Sequence, residues 1–207
     1  MKEILTPADF ETLFRVAWTG VVQQRYQQGV LNSERALQAC IVGALMNAAP
    51  SLIALIEPTL YPESKVAREM IPDIWVGQLG SAEALAVLEL KFVPFAYPRW
   101  EDDIDKLAKI LTGPTSYSAR TIDPNTGKDS DVSKDGRGQI AICERTLGIF
   151  AVVGKDDSAA VETAILCKGF SGNESLMPRF LHAWGMVPSQ RSGEKACDID
   201  FGVGRLG

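Results

Sequence analysis

Apolar residues recur at helical spacing near the start of the chain. Phe10, Leu13, Phe14, Ala17 and Val21 fall on one face. Thr6-Pro7-Ala8-Asp9 marks the helix start: Thr6 can cap, Pro7 suits the first turn and Asp9 meets the positive end of the dipole. Gly29 ends this helix. Asn32 or Ser33 opens a second helix, with a stripe of Leu37, Cys40, Ile41, Ala44, Leu45 and Ala48. Together they form N-terminal helices over 6–50. The short apolar run 51–56 suits a further helical turn, and 58–64 is a turn-rich link.

The pattern then changes. Residues 66–71 read as extended, and Ile74-Trp75-Val76 continues the strand past Pro72-Asp73. A turn at 77–81 leads into 84–93, a nearly continuous apolar run of the kind found in strands buried on both faces. Residues 102–111 form a third helix with Ile104, Leu107, Ala108 and Leu111 inward. The polar stretch 113–138 reads as a mobile loop outside the core. Residues 147–153 and 161–168 read as a strand pair, and Cys143 and Cys167 as buried thiols in apolar strands. Residues 175–184 read as a late helix containing His182. This order predicts one α/β domain over 1–207, a central mixed sheet flanked by helices. Its core spans 51–169, with a C-terminal helix and tail over 170–207.

Composition narrows the function more than the fold. The 207 residues carry a formal charge of −5, which disfavours tight sequence-independent binding to nucleic acid through counterion release. Clustered carboxylates can instead serve a cation. Four cysteines, Cys40, Cys143, Cys167 and Cys197, contain no C-x-x-C pair, so a zinc knuckle is not expected. Residues 1–5 are mixed in character and the first helix is amphipathic, so reduced thiols in a cytoplasmic protein are expected. No stretch approaches ~18 uninterrupted apolar residues, so no membrane partner is expected. His182 is the single histidine, which excludes multi-histidine zinc sites within one chain.

The chemistry is concentrated in 84–93. In a strand, Val87, Glu89 and Lys91 share one face, and Leu88, Leu90 and Phe92 the other. Two ions therefore project from an element that otherwise reads as core. Burial of an ion costs several kcal/mol unless it is paired or metal-bound. A tight turn would bring Asp73 toward Glu89. Two carboxylates meeting there repel, so one takes up a proton unless a hard cation such as Mg²⁺ intervenes.

Pro72-Asp73 followed by Glu89-Leu90-Lys91 across a strand-turn-strand resembles the PD-(D/E)xK nuclease superfamily. The resemblance covers roughly 32–111: Glu34 matches a helical glutamate upstream, and 102–111 a helix downstream. It implies a restriction-endonuclease-like core and metal-dependent phosphodiester hydrolysis, endo- or exonucleolytic, on DNA. Asp73 and Glu89, with the Leu90 carbonyl, would hold Mg²⁺ or Mn²⁺. Lys91 would orient the attacking water, and Glu34 would add an outer contact.

Rival readings differ in class. Glu89 and Lys91 also suit a same-face ion pair on an edge strand. Asp73 suits a turn and Glu34 a favoured first-turn carboxylate. Lys106 and Lys109, interspersed with Asp102, Asp103 and Asp105, read as a solvated helix face. Arg68, Arg99 and Arg120 suit substrate contact or solubility equally, and Gly127-Lys128 lacks the rest of a phosphate loop. An inactive nuclease-fold module binding nucleic acid or protein is one alternative. Another is a structural or assembly protein, an oligomer such as a homodimer packing through Phe10, Phe14 and Trp18 of the first helix.

Overall fold

A computed structural model describes residues 4–62, 70–94, 100–113, 115–119, 121–122, 129–130, 139–155, 158–169, 174–187 and 199–206. Residues 66–69, Arg68, Arg99, Arg120, Gly127-Lys128 and Cys197 lie outside them, as does much of 113–138.

The chain opens with α1 (Pro7–Val16), a π-helical turn (Ala17–Val22) and α2 (Gln23–Gln27). Thr6 and Asp9 close a capping box at the start, and Gly29 ends the run at φ +72°. Ser33 caps α3 (Glu34–Ala48) by accepting from the Ala36 amide. Then follow β1 (Leu52–Ile56), β2 (Leu60–Pro62), β3 (Ile74–Gln78), β4 (Ala84–Phe92) and α4 (Glu101–Thr112). Next come β5 (Ser116–Ala119), β6 (Thr121–Ile122), β7 (Asp129–Ser130), β8 (Gln139–Ala141) and β9 (Leu147–Gly154). The described chain finishes with α5 (Ser158–Gly169), a 3₁₀ turn (Glu174–Arg179), β10 (Phe180–Met186) and β11 (Asp200–Arg205).

The central sheet is six-stranded and mixed, in the order β1-β3-β4-β9-β10-β11. β1, β3 and β4 run as an antiparallel meander, β4, β9 and β10 are parallel, and β11 returns antiparallel. One face, with Ala86, Leu88, Leu90, Ile149, Ala151 and Leu181, packs on Phe10, Phe14, Trp18, Leu37, Ile41 and Leu45 of the N-terminal helices. The other face, with Val87, Phe150, Val152 and Phe180, packs on Ile104, Leu107 and Leu111 of α4 and Val161 and Ile165 of α5. A smaller sheet, β2-β5-β8, lies beside it. The expected α/β class with a mixed sheet between helices is what the chain forms.

Several expectations fail for identifiable reasons. Residues 52–56 are an edge strand rather than a helical turn, because their backbone pairs with β3 from Leu52↔Gln78 to Ile56↔Ile74. Residues 161–168 are helical rather than extended. β9 and β10 are parallel neighbours, and a parallel pair needs a crossover of a dozen or more residues, usually a helix. Buried Val161 and Ile165 are spaced i, i+4, a helical sign within an apolar run. The expected late helix over 175–184 is a 3₁₀ turn and then β10, since Pro178 cannot continue an α-helix. Of the loop 113–138, Tyr117 and Ala119 are core: Ser116-Tyr117-Ser118-Ala119 alternates at the period of a strand. Residues 200–205 are β11, so the region after 170 ends in sheet rather than helix and tail. Cys143 lies in the turn between β8 and β9, and the backbone of Cys167 lies in α5; neither is in a strand.

Phe10, Phe14 and Trp18 are fully buried inside the chain's own core. The apolar face once open to a second copy is therefore spent on folding. No helix among the described residues is long and apolar enough to cross a membrane.

Candidate metal and phosphate site

The β3–β4 hairpin sets the geometry. Ile74 pairs with Leu88, so Asp73, one step earlier, stands at the level of Glu89. Asp73 Oδ2 accepts a hydrogen bond from the Leu90 amide at 2.5 Å. A residue's N–H and C=O project to the same strand edge, so the Leu90 carbonyl shares the edge on which Asp73 sits. The Asp73 carbonyl accepts from the Glu57 amide at 2.9 Å. Glu57 holds φ +49°, a left-handed value that non-glycine residues adopt at some cost, and its carboxylate takes a contact from Gln38 Nε2 at 3.5 Å.

Alternation along β4 turns Glu89 to the face covered by α4. Its side chain is 0% exposed. Among the described residues the cation paired with it is Lys106, whose Nζ lies 2.7 Å from Oε2. Lys106 is the one donor within reach of Oε2, and Oε1 has none among the described residues. Burial, then the neighbouring Asp73 charge, pushes the Glu89 carboxyl up to about 9, against the pull of Lys106. The proton uptake expected of paired carboxylates thus falls on Glu89.

Lys91, two residues on, does not pair with Glu89. Its Nζ lies 3.1 Å from Asp103 Oδ2 and 3.9 Å from Glu34 Oε2. Burial alone would lower the Lys91 pKa, but Asp103, Glu34 and Asp73 outweigh it and raise it. Burial raises Asp73, opposed by the Leu90 amide and by Lys106 and Lys91. Burial also raises Glu34, opposed chiefly by Lys91. Glu34, at the first turn of α3, is 38% exposed at its side chain, so the group opens to solvent there.

The fold therefore brings Glu34, Asp73, Glu89 and Lys91 to one place, at the far end of β4 between the starts of α3 and α4. It adds two residues that sequence reading set aside. Asp103 and Lys106, three apart on α4, face inward: Asp103 bridges Lys91 and, at 3.9 Å, Lys106. The reading of Lys106 as solvated fails because α4 packs over the buried carboxylate, while Lys109 pairs with Asp105 on the outer face as expected. The available signal was spacing: Asp103 and Lys106 flank Ile104 and Leu107 on the apolar face, whereas Asp105 and Lys109 stand off it.

Four carboxylates face two ammonium groups, so two acidic groups have no cation of their own. Among the described residues no three His, Cys, Asp or Glu side chains form a ready-made metal cage. Mg²⁺ does not require one, since it is held by one or two carboxylates with waters and substrate phosphate. The buried Glu89 carboxylate beside Asp73, whose Oε1 has no described donor, fits such an ion.

The described cavities lie elsewhere. A groove of about 420 Å³ at the opposite end of the sheet is lined by Arg145, Arg179 and Arg205. Their guanidinium groups are engaged by Glu83, by the Cys143 and Leu111 carbonyls, and by Glu11. No protein-family model matches this chain, and neither a curated protein nor a solved structure does.

Proposed function

We propose that the chain is a metal-dependent nuclease of the PD-(D/E)xK type, hydrolysing phosphodiester bonds of DNA. The observation that carries this reading is the fully buried Glu89 carboxylate, with Lys106 as its one described cation, set beside Asp73 at the mouth of an otherwise apolar hairpin. Support also comes from the order of elements: a helix bearing Glu34, the hairpin, then α4 with charged residues turned to the site.

Asp73 and Glu89 would hold Mg²⁺ or Mn²⁺ with the Leu90 carbonyl. A bound ion supplies Lewis acidity at the phosphate and a more acidic water. The chain's own groups do the rest. Asp73 is held by the Leu90 amide and cannot swing away without giving up that bond. Lys91, kept cationic by Asp103 and Glu34, orients water and offsets negative charge as the phosphate is attacked. Glu34, on the solvent side of Lys91, acts as an outer contact.

The test is cleavage of supercoiled plasmid and single-stranded DNA with Mg²⁺ or Mn²⁺. Asp73→Ala and Lys91→Ala each lower the rate by ~10²-fold or more, the scale of losing one electrostatic contact at a transition state. Wild-type rates in both variants would refute the assignment.

A second reading has one observation in its favour. Lys106 already satisfies part of the Glu89 charge, as it would in a nuclease-fold module that binds nucleic acid or protein without hydrolysis. Calorimetry separates the two: no heat with Mn²⁺, and nucleic-acid binding unchanged in Asp73→Asn, favours the binding module.

A further inference from the structure

Lys106 is coordinated much as a hard cation is. Its Nζ lies 2.7 Å from Glu89 Oε2 and 3.9 Å from Asp103 Oδ1, and it donates to the Ile71 carbonyl at 3.0 Å. All three neighbours are oxygens, the donor type preferred by Mg²⁺ and Mn²⁺. Ile71 immediately precedes Pro72-Asp73, so this ammonium joins Glu89 to the backbone leading into Asp73. Glu89 itself is sealed from solvent. The side chain that reaches it is 30% exposed and carried on a flexible four-carbon stem, so it can withdraw without movement of α4.

We propose that Lys106 is a resident cation on the Glu89 side of the divalent ion's seat, so that metal entry is an exchange at Glu89 in which the ammonium is expelled. This rests on the metal-dependent reading above. Lys91 cannot play the part, because Asp103 and Glu34 hold it. The argument holds for either protonation state of Glu89. A divalent ion adds two positive charges beside Lys106 if the carboxylate starts ionised, and one if it displaces a proton. Lys106 opposes entry in both cases. Apparent metal affinity is therefore weakened by the fraction of time the seat is free of the ammonium. The device keeps the buried acid partnered in the metal-free protein and sets a threshold concentration of metal.

Calorimetric titration of the full chain with Mn²⁺ tests the exchange in wild type, Lys106→Met and Asp73→Asn. Lys106→Met binds Mn²⁺ roughly tenfold or more tightly than wild type, and Asp73→Asn loses binding. A second measurement on wild type needs no folded variant: acylation of Lys106 by an amine-reactive reagent, located by mass spectrometry. Its rate rises several-fold at saturating Mn²⁺ as the ammonium leaves the acid. Wild-type binding with Lys106→Met no tighter, or with an unchanged acylation rate, overturns the exchange alone. No Mn²⁺ binding by wild type overturns the metal reading and the exchange with it.

Discussion

A carboxylate that loses water beside a second carboxylate is disfavoured as an anion, and Glu89 next to Asp73 meets that condition on a strand whose neighbours are apolar. The consequence is a pH dependence with a definite sign. In the unfolded chain Glu89 titrates near 4.5, and in the metal-free fold at about 9. Between those values the native state binds the extra proton, so stability falls as pH rises from about 4.5 toward 9. Asp73 and Glu34, also raised, act in the same direction. Thermal melts of chelator-treated protein should show this fall, and Glu89→Gln should flatten it. At pH 8 the variant should melt several degrees above wild type, since ~1 kcal/mol moves Tm by about 2–4 °C at this size. A wild-type profile parallel to that of Glu89→Gln contradicts the assignment. Glu89 and Asp73 were legible in the sequence because an ion in an apolar run and an acid before a strand are local patterns. Lys106 was not, because its partner is 17 residues away and the spacing that sets it apart from Asp105 and Lys109 gains its meaning once α4 packs over Glu89.

Among the elements, the hairpin matters most, since β3 carries Asp73 to β4. Its register slips between Val76 and Gly77, and a Cβ at Gly77 would come within 2.2 Å of the Trp75 ring. Gly77→Ala must therefore displace a buried indole, at a cost of ~1–3 kcal/mol. Denaturant unfolding reads this, and a variant as stable as wild type would show that Trp75 has another place to go. The hairpin and α3 were readable from turn residues and from the Ser33 cap. The run 161–168 was not, because apolar residues without polar alternation fit a buried helix or strand equally well. Its helicity follows from the parallel pairing of β9 with β10, a fact of topology rather than of local spacing.

For the whole molecule, the two chain ends are tied together on the side remote from the acids. Glu11 of α1 receives Arg15 from its own helix and Arg205 from β11, and Arg15 also reaches the Val203 carbonyl. Glu11 is largely buried, so its loss leaves two guanidinium groups short of an acceptor. Glu11→Ala is expected to cost ~1–3 kcal/mol in thermal or denaturant unfolding, and to leave the proposed Mn²⁺ binding at the distant site unchanged. Loss of metal binding in this variant would mean that the site depends on the N-terminal helix beyond what α3 supplies. The pairing of α1 with β11 was invisible in the sequence, where residues 190–207 carry no periodic signal.

The most direct measurement of the central claim is an anomalous-scattering map from crystals soaked in Mn²⁺. The account predicts one strong peak within ~2.0–2.3 Å of carboxylate oxygens from both Asp73 and Glu89, with the Leu90 carbonyl turned toward it. A peak bound elsewhere, or none at millimolar Mn²⁺ with both carboxylates still beside Lys106 and the Leu90 amide, would contradict it.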